Sequence, residues 1–361
     1  MSVKSNFEHV KKQKETVKTK NVLDNFTSFK NKHETLNGAM NVARKVKMDE
    51  WYTPYEIIEN EMNVWLEVNP EFFKNKHIVC PSDRVERELF GKVAAETASQ
   101  FWTYFHLNFE KLGLKQLTAT YLKNENEEHS YRYDYFGGDD NNIFSFKKQR
   151  LESDGNFFNE EIIQILKEAD YTITNPPFSL WSKWYNVLLE NNINFIVIGN
   201  KLSVSYSNVF PNFIQGKYNL AYTTPKYFLK YPSGAGGSEE ESLVSLSGLT
   251  SWITNLPVVY KKRDIFKEQK VSEYVAEYID GTDIVNINKL KEIEDFYKDY
   301  TQELAVPITF AYSWDKEASP YNILRQLEKD KCFVNGVRKF TRLIIKKKKC
   351  LMVSKEKQSK F

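Results

Sequence analysis

Apolar residues between positions 49 and 219 recur with two different periods, and the two kinds of segment alternate along the chain. Short runs of apolar and β-branched residues predict strands at residues 77–80, 117–122, 171–174 and 195–199. Helical spacing of apolar residues predicts helices at residues 55–68, 84–111, 159–168 and 180–190. Strands that alternate with helices in this way predict an α/β fold with a doubly wound, mostly parallel sheet.

The carboxyl ends of the predicted strands mark the place where chemistry is expected. In open sheets of this kind, ligands bind beyond those ends, at a point where the strand order reverses. Side chains that follow Cys80, Thr174 and Gly199 are therefore the first candidates for a functional site.

The pattern changes after residue 219. Residues 233–241 are rich in Gly, Ser and Glu and predict a flexible loop, and a Lys-rich turn at residues 261–263 separates further short strands. We therefore predict three regions. They are a mobile basic arm at residues 1–36, a catalytic and cofactor-binding domain at residues 37–219, and an α+β recognition region with a basic tail at residues 220–361.

Charge is distributed unevenly along the 361 residues, although the net charge is only +3. Residues 1–48 carry +7 and residues 338–361 carry +9, which leaves −13 for the residues between them. Basic ends on an acidic body indicate a polyanionic partner that is met at the ends. Solvated, disordered tails have the same composition, so the charge pattern leaves both interpretations open.

Composition narrows the class of protein further. Apolar residues are 41% and charged residues 27% of the chain, and no stretch is long and apolar enough for a membrane helix. The Lys-rich start lacks the apolar stretch of a secretory signal. Cys80, Cys332 and Cys350 lie too far apart for a zinc-binding pair or a disulfide framework. We therefore expect a cytoplasmic protein without a membrane segment or a metal site.

One tetrapeptide, Asn175-Pro176-Pro177-Phe178, directly follows the predicted strand at residues 171–174. At a strand end, it is typical of enzymes that methylate an amino nitrogen. The amine of adenine is a weak nucleophile because its lone pair is delocalised into the ring. Two acceptors, the Asn175 side-chain oxygen and the Pro176 carbonyl oxygen, would favour a pyramidal nitrogen. The prolines would keep the loop rigid, and Phe178 would stack on a base swung out of the duplex by base flipping.

The electrophile for such an amine is a sulfonium methyl group, so the tetrapeptide implies S-adenosyl-L-methionine as cofactor. Two alternatives stay open at this point. A Pro-Pro turn that only closes a strand would have the same sequence. The same tetrapeptide also methylates glutamine amides in proteins, because an amide nitrogen has the same delocalised lone pair. The large C-terminal region and the two basic ends favour a nucleic-acid substrate over a protein amide.

The chain resembles the adenine-specific DNA methyltransferase family typified by the EcoRI modification methylase, over about residues 37–348. The tetrapeptide is shared with other amino-methyltransferases, so a series of further blocks in the same order is the more specific evidence. These blocks are Asp49-Glu50-Trp51-Tyr52-Thr53, Tyr104-Phe105, Asn108-Phe109, Leu112-Gly113-Leu114-Lys115, Ile198-Gly199-Asn200, Trp252-Ile253-Thr254-Asn255-Leu256, Val306-Pro307-Ile308-Thr309-Phe310, Asn335-Gly336 and the basic end around Arg342.

The resemblance implies a sheet of the S-adenosylmethionine-dependent methyltransferase type with a C-terminal target-recognition region. It implies methyl transfer to the N6 amine of adenine in a specific double-stranded DNA sequence. It also implies a role in restriction–modification, where a cognate restriction endonuclease would share the target site without necessarily binding this protein.

Four residues resemble the family's cofactor positions. Tyr52 and Thr53 belong to the block before the first strand that contacts the methionine end of the cofactor. Asp83 follows the first strand, and Asp154 resembles the residue that hydrogen-bonds the cofactor's adenine. Helix capping explains Asp83 equally well, and a simple turn explains Asp154.

Three departures from the family pattern lie on the cofactor side. Pro81-Ser82-Asp83 stands where the family has paired acids and a Pro, and residues 84–98 resemble an insertion. Asn156 and Phe158 stand where an Asp and an Arg are expected. A degenerate relative that still binds DNA but no longer holds the cofactor is therefore the alternative to an active enzyme.

Overall fold

The computed structural model describes residues 52–86, 88–89, 92–93, 98–229, 243–245, 248–259, 276–293, 301–327 and 329–348. The chain divides into two units, Met1–Asp49 and Glu50–Phe361, and all the described residues belong to the second unit. The predicted arm at residues 1–36, the loop at 233–241 and the turn at 261–263 lie outside them. No helix in the described ranges is long and apolar enough to cross a membrane.

The α-helices of the described residues are α1 (Tyr55–Val68), α2 (Gln100–Leu107), α3 (Phe109–Leu112), α4 (Glu160–Glu168), α5 (Trp181–Glu190) and α6 (Phe210–Ile214). The strands are β1 (His77–Pro81), β2 (Glu88–Leu89), β3 (Lys92–Val93), β4 (Gln116–Thr120), β5 (Tyr131–Tyr135), β6 (Lys147–Arg150), β7 (Tyr171–Thr174), β8 (Phe195–Asn200), β9 (Asn219–Leu220), β10 (Tyr227–Leu229), β11 (Leu243–Ser245), β12 (Thr250–Thr254), β13 (Glu277–Tyr278), β14 (Val285–Asn286), β15 (Leu304–Pro307), β16 (Tyr321–Leu327), β17 (Phe333–Val334), β18 (Val337–Arg338) and β19 (Arg342–Lys347). Short 3₁₀ helices lie at Phe178–Leu180, Lys201–Ser205, Leu290–Glu292, Ile308–Tyr312 and Lys329–Lys331.

The main sheet has eight strands in the part of the chain that the structure describes, in the spatial order β6-β5-β4-β1-β7-β8-β12-β9. The four central strands, β4, β1, β7 and β8, run parallel, with Ile78 opposite both Leu117 and Tyr171. The flanking strands are antiparallel to their neighbours. This parallel centre confirms the predicted α/β fold and the four strands that the sequence pattern predicted.

Helices cover both faces of this sheet because residues of each strand alternate between two cores. Ile78 and Ile196 belong to the core shared with α1 and α2, whereas Val79 and Val197 belong to the core shared with α4 and α5. Every residue of β1 is buried, as expected for a strand that is covered on both faces.

The predicted helix at residues 84–111 is wrong in its first half. Strands β2 and β3 pair there as a short antiparallel hairpin. The sequence of this segment contains Gly91, a poor helix former, which disfavours a continuous helix. Helix α2 begins only at Gln100, where the Ser99 hydroxyl accepts the Phe101 N–H at 3.2 Å as an N-cap.

The second half of that prediction agrees with the structure. Helices α2 and α3 occupy it, and the aromatic stripe predicted as core is buried, namely Phe101, Trp102, Phe105 and Phe109. The stripe therefore packs the helical layer against the sheet and is not a ligand site.

A second sheet has the order β13-β14-β15-β19-β16 among the described residues. One of its faces, with Leu304 and Leu343, joins the core that contains α4 and α5. Its other face carries Ala305 and Ile344, which pack against Val334 of the β17–β18 hairpin. The second sheet therefore lies between the helical layer of the main sheet and this hairpin.

The chain returns to the main sheet after residue 219. Strand β12 pairs with β8, with Trp252 opposite Ile198, and β9 pairs with β12. Strands β9 and β12 thus belong to the same sheet as β7, the strand before the tetrapeptide. The boundary between residues 219 and 220 stays a prediction.

Candidate active site

The tetrapeptide connects the carboxyl end of β7 to helix α5. Asn175 is half-buried with a buried side-chain oxygen, and Pro176 is buried. Pro177 precedes the 3₁₀ helix Phe178–Leu180, and its carbonyl accepts the Leu180 N–H at 3.1 Å. Because this turn is closed through Pro177, closure does not require the carbonyl oxygen of Pro176. Two prolines with fixed φ hold the segment between a buried strand and a helix.

Thr174, the last residue of β7, ties this loop to the neighbouring strands. Its hydroxyl lies 2.7 Å from the Pro81 carbonyl oxygen and 2.9 Å from Asp83 Oδ2, so the two acceptors share one hydrogen. The Ser99 hydroxyl donates to the other oxygen of Asp83. The Asp83 N–H donates to the Thr120 carbonyl at 2.9 Å. Asp83, only 6% exposed, therefore links the ends of β1, β4 and β7 to the start of α2.

Tyr52 is connected to the tetrapeptide loop, residues 175–178, through strand β10. It forms an antiparallel bridge with Leu229, with N–H···O distances of 2.9 and 2.8 Å. The neighbouring Phe228 is buried and meets the Phe178 ring edge-on, with the ring centroids 6.3 Å apart. The block that contains Tyr52 and the tetrapeptide thus contact the same short strand, although they are far apart in the sequence.

Asp154 lies near the carboxyl end of β4, two strands from β7. Its carbonyl accepts the Lys123 N–H at 2.9 Å. Its exposed carboxylate accepts the Asn156 N–H at 2.9 Å. The next residue, Gly155, has a φ of +81°, and a Cβ there would overlap the Tyr121 carbonyl oxygen. The turn that holds Asp154 is therefore packed tightly against the end of β4.

These contacts place the predicted residues along one edge of the main sheet, and a comparison with known proteins identifies the family. The model of the EcoRI adenine-specific methyltransferase family matches residues 39–338. The chain belongs to this family. Membership confirms the predicted function, adenine methylation in DNA, and the predicted α/β methyltransferase fold.

Three curated methyltransferases are similar to the chain over most of its length. Type II methyltransferase M.EcoRI of Escherichia coli is 28% identical over 340 residues, which cover 87% of this chain and 97% of the relative. M.MgeORF184P of Mycoplasma genitalium is 29% identical and M.MpnI of Mycoplasma pneumoniae 26% identical, each over 85% of this chain and 98% of the relative. No solved structure matches the chain.

The segment Pro81-Ser82-Asp83, which departs from the family's sequence pattern, contains one residue with an unusual backbone conformation. Ser82 has a φ of +66°, in the left-handed region that favours glycine. Such strained residues cluster at binding sites, where the surrounding structure fixes them. Here the flanking Pro81 and Asp83 are both bonded to Thr174, which fixes the turn directly beside the tetrapeptide loop.

The residues of this edge fit a methyl donor in one specific respect. The Thr53 side chain is only 5% exposed, and its hydroxyl has no hydrogen-bond partner among the described residues. Leaving a buried hydroxyl unsatisfied costs about 1–3 kcal/mol. A polar ligand beside Thr53 would supply the missing partner.

Burial also determines the protonation state of Cys80, the cysteine at this edge. Burial, and next the charge of Asp83, hold the pKa of the Cys80 thiol well above its usual range. Cys80 is therefore a neutral packing group and not a nucleophile.

The sequence pattern missed three residues of this edge. Ser99 could have been found as a helix N-cap, and Thr174 as the residue directly before the tetrapeptide. No sequence pattern marked Phe228 as a site residue, because only the pairing of β10 brings its ring to Phe178.

Proposed function

We propose that this enzyme transfers the methyl group of S-adenosyl-L-methionine to the N6 amine of adenine in a specific sequence of double-stranded DNA. The observation that carries the proposal is the tetrapeptide at the carboxyl end of β7, which shares strand β10 with the Tyr52 block. A catalytic loop and a cofactor block that contact one strand are suited to bring two substrates together.

The chain's own groups prepare the amine. The Asn175 side-chain oxygen and the Pro176 carbonyl oxygen accept its two N–H groups, which favours a pyramidal nitrogen with an available lone pair. S-adenosyl-L-methionine, when bound, supplies a sulfonium methyl group as the electrophile. Thr174 and Asp83 hold the loop at a fixed distance from β1, so the acceptors are preorganised. The surplus proton leaves to water, and no strong base is required.

Phe178 is suited to receive the extruded base. Its ring is half-buried and is supported edge-on by the buried Phe228. An aromatic face that is fixed from behind offers stacking to any base at little cost in side-chain entropy. We assign Phe178 to base capture and Pro177 to the closure of the turn.

We assign the methyl donor to the edge formed by Tyr52, Thr53, Asp83 and Asp154. Thr53 offers a buried hydroxyl to a polar group of the donor. Asp83 acts as a positioning residue, because both its carboxylate oxygens are bonded to Ser99 and Thr174. Asp154 offers an exposed carboxylate near the end of β4.

Incubation of the purified protein with methyl-labelled S-adenosylmethionine and DNA, RNA or protein tests the proposal. We expect label only in DNA, at N6 of adenine, and sequencing of methylated plasmid DNA then gives the target site. Label in protein glutamine would favour the amide methyltransferase. DNA binding without any transfer and without affinity for the donor would identify the degenerate relative.

Three further assignments rest on the same proposal. A role in restriction–modification predicts an endonuclease that cuts the same, unmethylated sequence. The basic arm at residues 1–36 is predicted to contact phosphates, so its removal should lower the salt dependence of DNA binding. A cytoplasmic location stays a prediction.

A further inference from the structure

The hairpin of β17 and β18 presents apolar side chains to solvent. Phe340, which follows the hairpin, is 78% exposed, and Val337 within it is 59% exposed. A single exposed apolar residue is common, but two within four positions, called the hairpin patch below, concentrate apolar surface on this segment. A partner that covers the hairpin patch would remove its apolar surface from water, which would stabilise the complex.

The patch lies near the end of the second sheet that meets the catalytic edge. Arg342, two residues after Phe340, pairs with Pro307 at the end of β15. At the same end, Gln326 Nε2 donates to the Ser205 carbonyl at 3.1 Å, in the 3₁₀ helix that follows β8. Strand β8 is the neighbour of the catalytic strand β7. The hairpin therefore lies toward the same end of the two sheets as the tetrapeptide loop.

The hairpin is held rigidly on the second sheet. Asp280 accepts the N–H groups of Asn335 and Gly336 in the turn, both at 2.8 Å. The Lys339 N–H donates to the Cys332 carbonyl at 2.8 Å, and Cys332 is buried. A patch on a fixed element can bind a partner with little loss of conformational entropy.

Three basic residues lie close to the hairpin patch in the sequence. Lys331, Arg338 and Lys339 flank it in the sequence, and Arg338 also pairs with Asp330. Lys331 and Arg338 are exposed, and Lys339 is half-buried. A basic rim around apolar side chains complements a nucleic-acid duplex, with phosphates at the rim and bases at the centre.

We propose that this hairpin surface docks on the target duplex, with Phe340 as an apolar contact to bases close to the methylated adenine. The proposal rests on the proposed function and adds to it a contact outside the catalytic loop. Apolar side chains that enter a groove partly unstack neighbouring bases, which would lower the cost of extruding the adenine.

Binding of plasmid-derived duplex DNA to the full chain tests the proposal in Phe340→Ala, with Phe136→Ala as the matched control. Phe136 is also exposed, at 52%, but it lies at the amino ends of the parallel strands, because the preceding Tyr135 pairs with Leu117 near the start of β4. We expect Phe340→Ala to weaken binding about 5- to 150-fold, the equivalent of 1–3 kcal/mol for one stacked base. Phe136→Ala should bind like the unchanged protein.

A salt titration separates the rim from the centre. Lys331→Ala and Lys339→Ala should each flatten the salt dependence by about one phosphate, whereas Phe340→Ala should leave the slope unchanged. Wild-type binding by Phe340→Ala, with methyl transfer intact in the unchanged protein, would overturn the docking surface alone. Absence of any methyl transfer to DNA by the unchanged protein would overturn the proposed function instead.

Discussion

The amino edge and the carboxyl edge of the main sheet both carry buried polar side chains, but the two sets differ in their hydrogen bonding. At the amino edge, the ring nitrogens of His77 lie 3.2 Å from the Glu168 carbonyl oxygen and 2.8 Å from Thr118 Oγ1. The Asp170 carboxylate accepts Lys76 Nζ and the His77 N–H, both at 2.9 Å. These groups satisfy one another within the protein.

The carboxyl edge is less complete. The hydroxyls of Thr53 and Thr120 are buried without a partner among the described residues, and Ser82 has a strained backbone. Strand β4 shows the same difference between its two ends. The Thr118 hydroxyl near its amino end donates to the Asp134 carboxylate at 2.6 Å, whereas the Thr120 hydroxyl at its carboxyl end does not donate to any carboxylate that the structure describes. A complete network stabilises the fold, whereas an incomplete one retains groups for a ligand. Thr172, nearer the amino end of β7, also has a buried hydroxyl without a partner among the described residues, so hydroxyl groups alone do not mark the site; the strained backbone of Ser82 distinguishes the carboxyl edge.

The tetrapeptide loop, which we propose to be catalytic, should give the strongest effect. Asn175→Ala removes one of two proposed acceptors for the target amine and should lower the rate of methyl transfer about 10²- to 10³-fold. Affinity for S-adenosylmethionine should stay within a few-fold. Asn194→Ala, at the amino side of the neighbouring strand, is the control, because Asn194 is exposed and its Nδ2 donates to the Asp170 carbonyl at 3.3 Å. Equal losses in both variants would contradict the assignment of Asn175.

The next effect concerns the contact between β7 and β1. Thr174→Val removes the hydroxyl shared by Pro81 and Asp83 and should lower the free energy of unfolding by about 1–3 kcal/mol. Thr172→Val is the matched control, because that hydroxyl is buried on the same strand without a partner among the described residues. Urea unfolding should show Thr172→Val to be neutral or stabilising, and the reverse order would refute the role of Thr174.

A smaller effect is expected at Thr53. Thr53→Val should weaken S-adenosylmethionine binding about 3- to 10-fold, the loss of one hydrogen bond of 0.5–1.5 kcal/mol. The free protein should be no less stable, since the hydroxyl has no partner among the residues that the structure describes. Thr53→Ser keeps the hydroxyl and should bind normally in a calorimetric titration. Unchanged affinity in the valine variant would place the methyl donor elsewhere.

The smallest expected effect is on the pH dependence of stability and concerns His77, at the amino edge of the main sheet. Burial lowers the pKa of His77 in the folded protein, so the unfolded chain binds more protons as the pH falls. Stability should therefore decrease as the pH falls below about 6.5, the ordinary pKa of histidine. The variant His77→Gln should show a smaller decrease across this range in parallel unfolding measurements. Identical pH dependence in both proteins would show that His77 does not titrate on unfolding.

Much of the fold could be predicted from the sequence, because strand and helix periods are local properties. The strand Tyr171–Thr174 and helix Glu160–Glu168 lie within one residue of the predicted bounds. The error at residues 84–98 has a physical cause: apolar residues of a short hairpin can mimic helical spacing over a few positions.

The tetrapeptide could be recognised without any structure, since its four residues are contiguous and its rigidity follows from two prolines after a strand. The contacts that surround the tetrapeptide could not be predicted in this way. Asp83 meets Thr174 because β1 and β7 are neighbours, and Phe228 meets Phe178 because β10 pairs with Tyr52. Such contacts depend on strand order and register, which are set by the packing of the whole core and not by any local pattern.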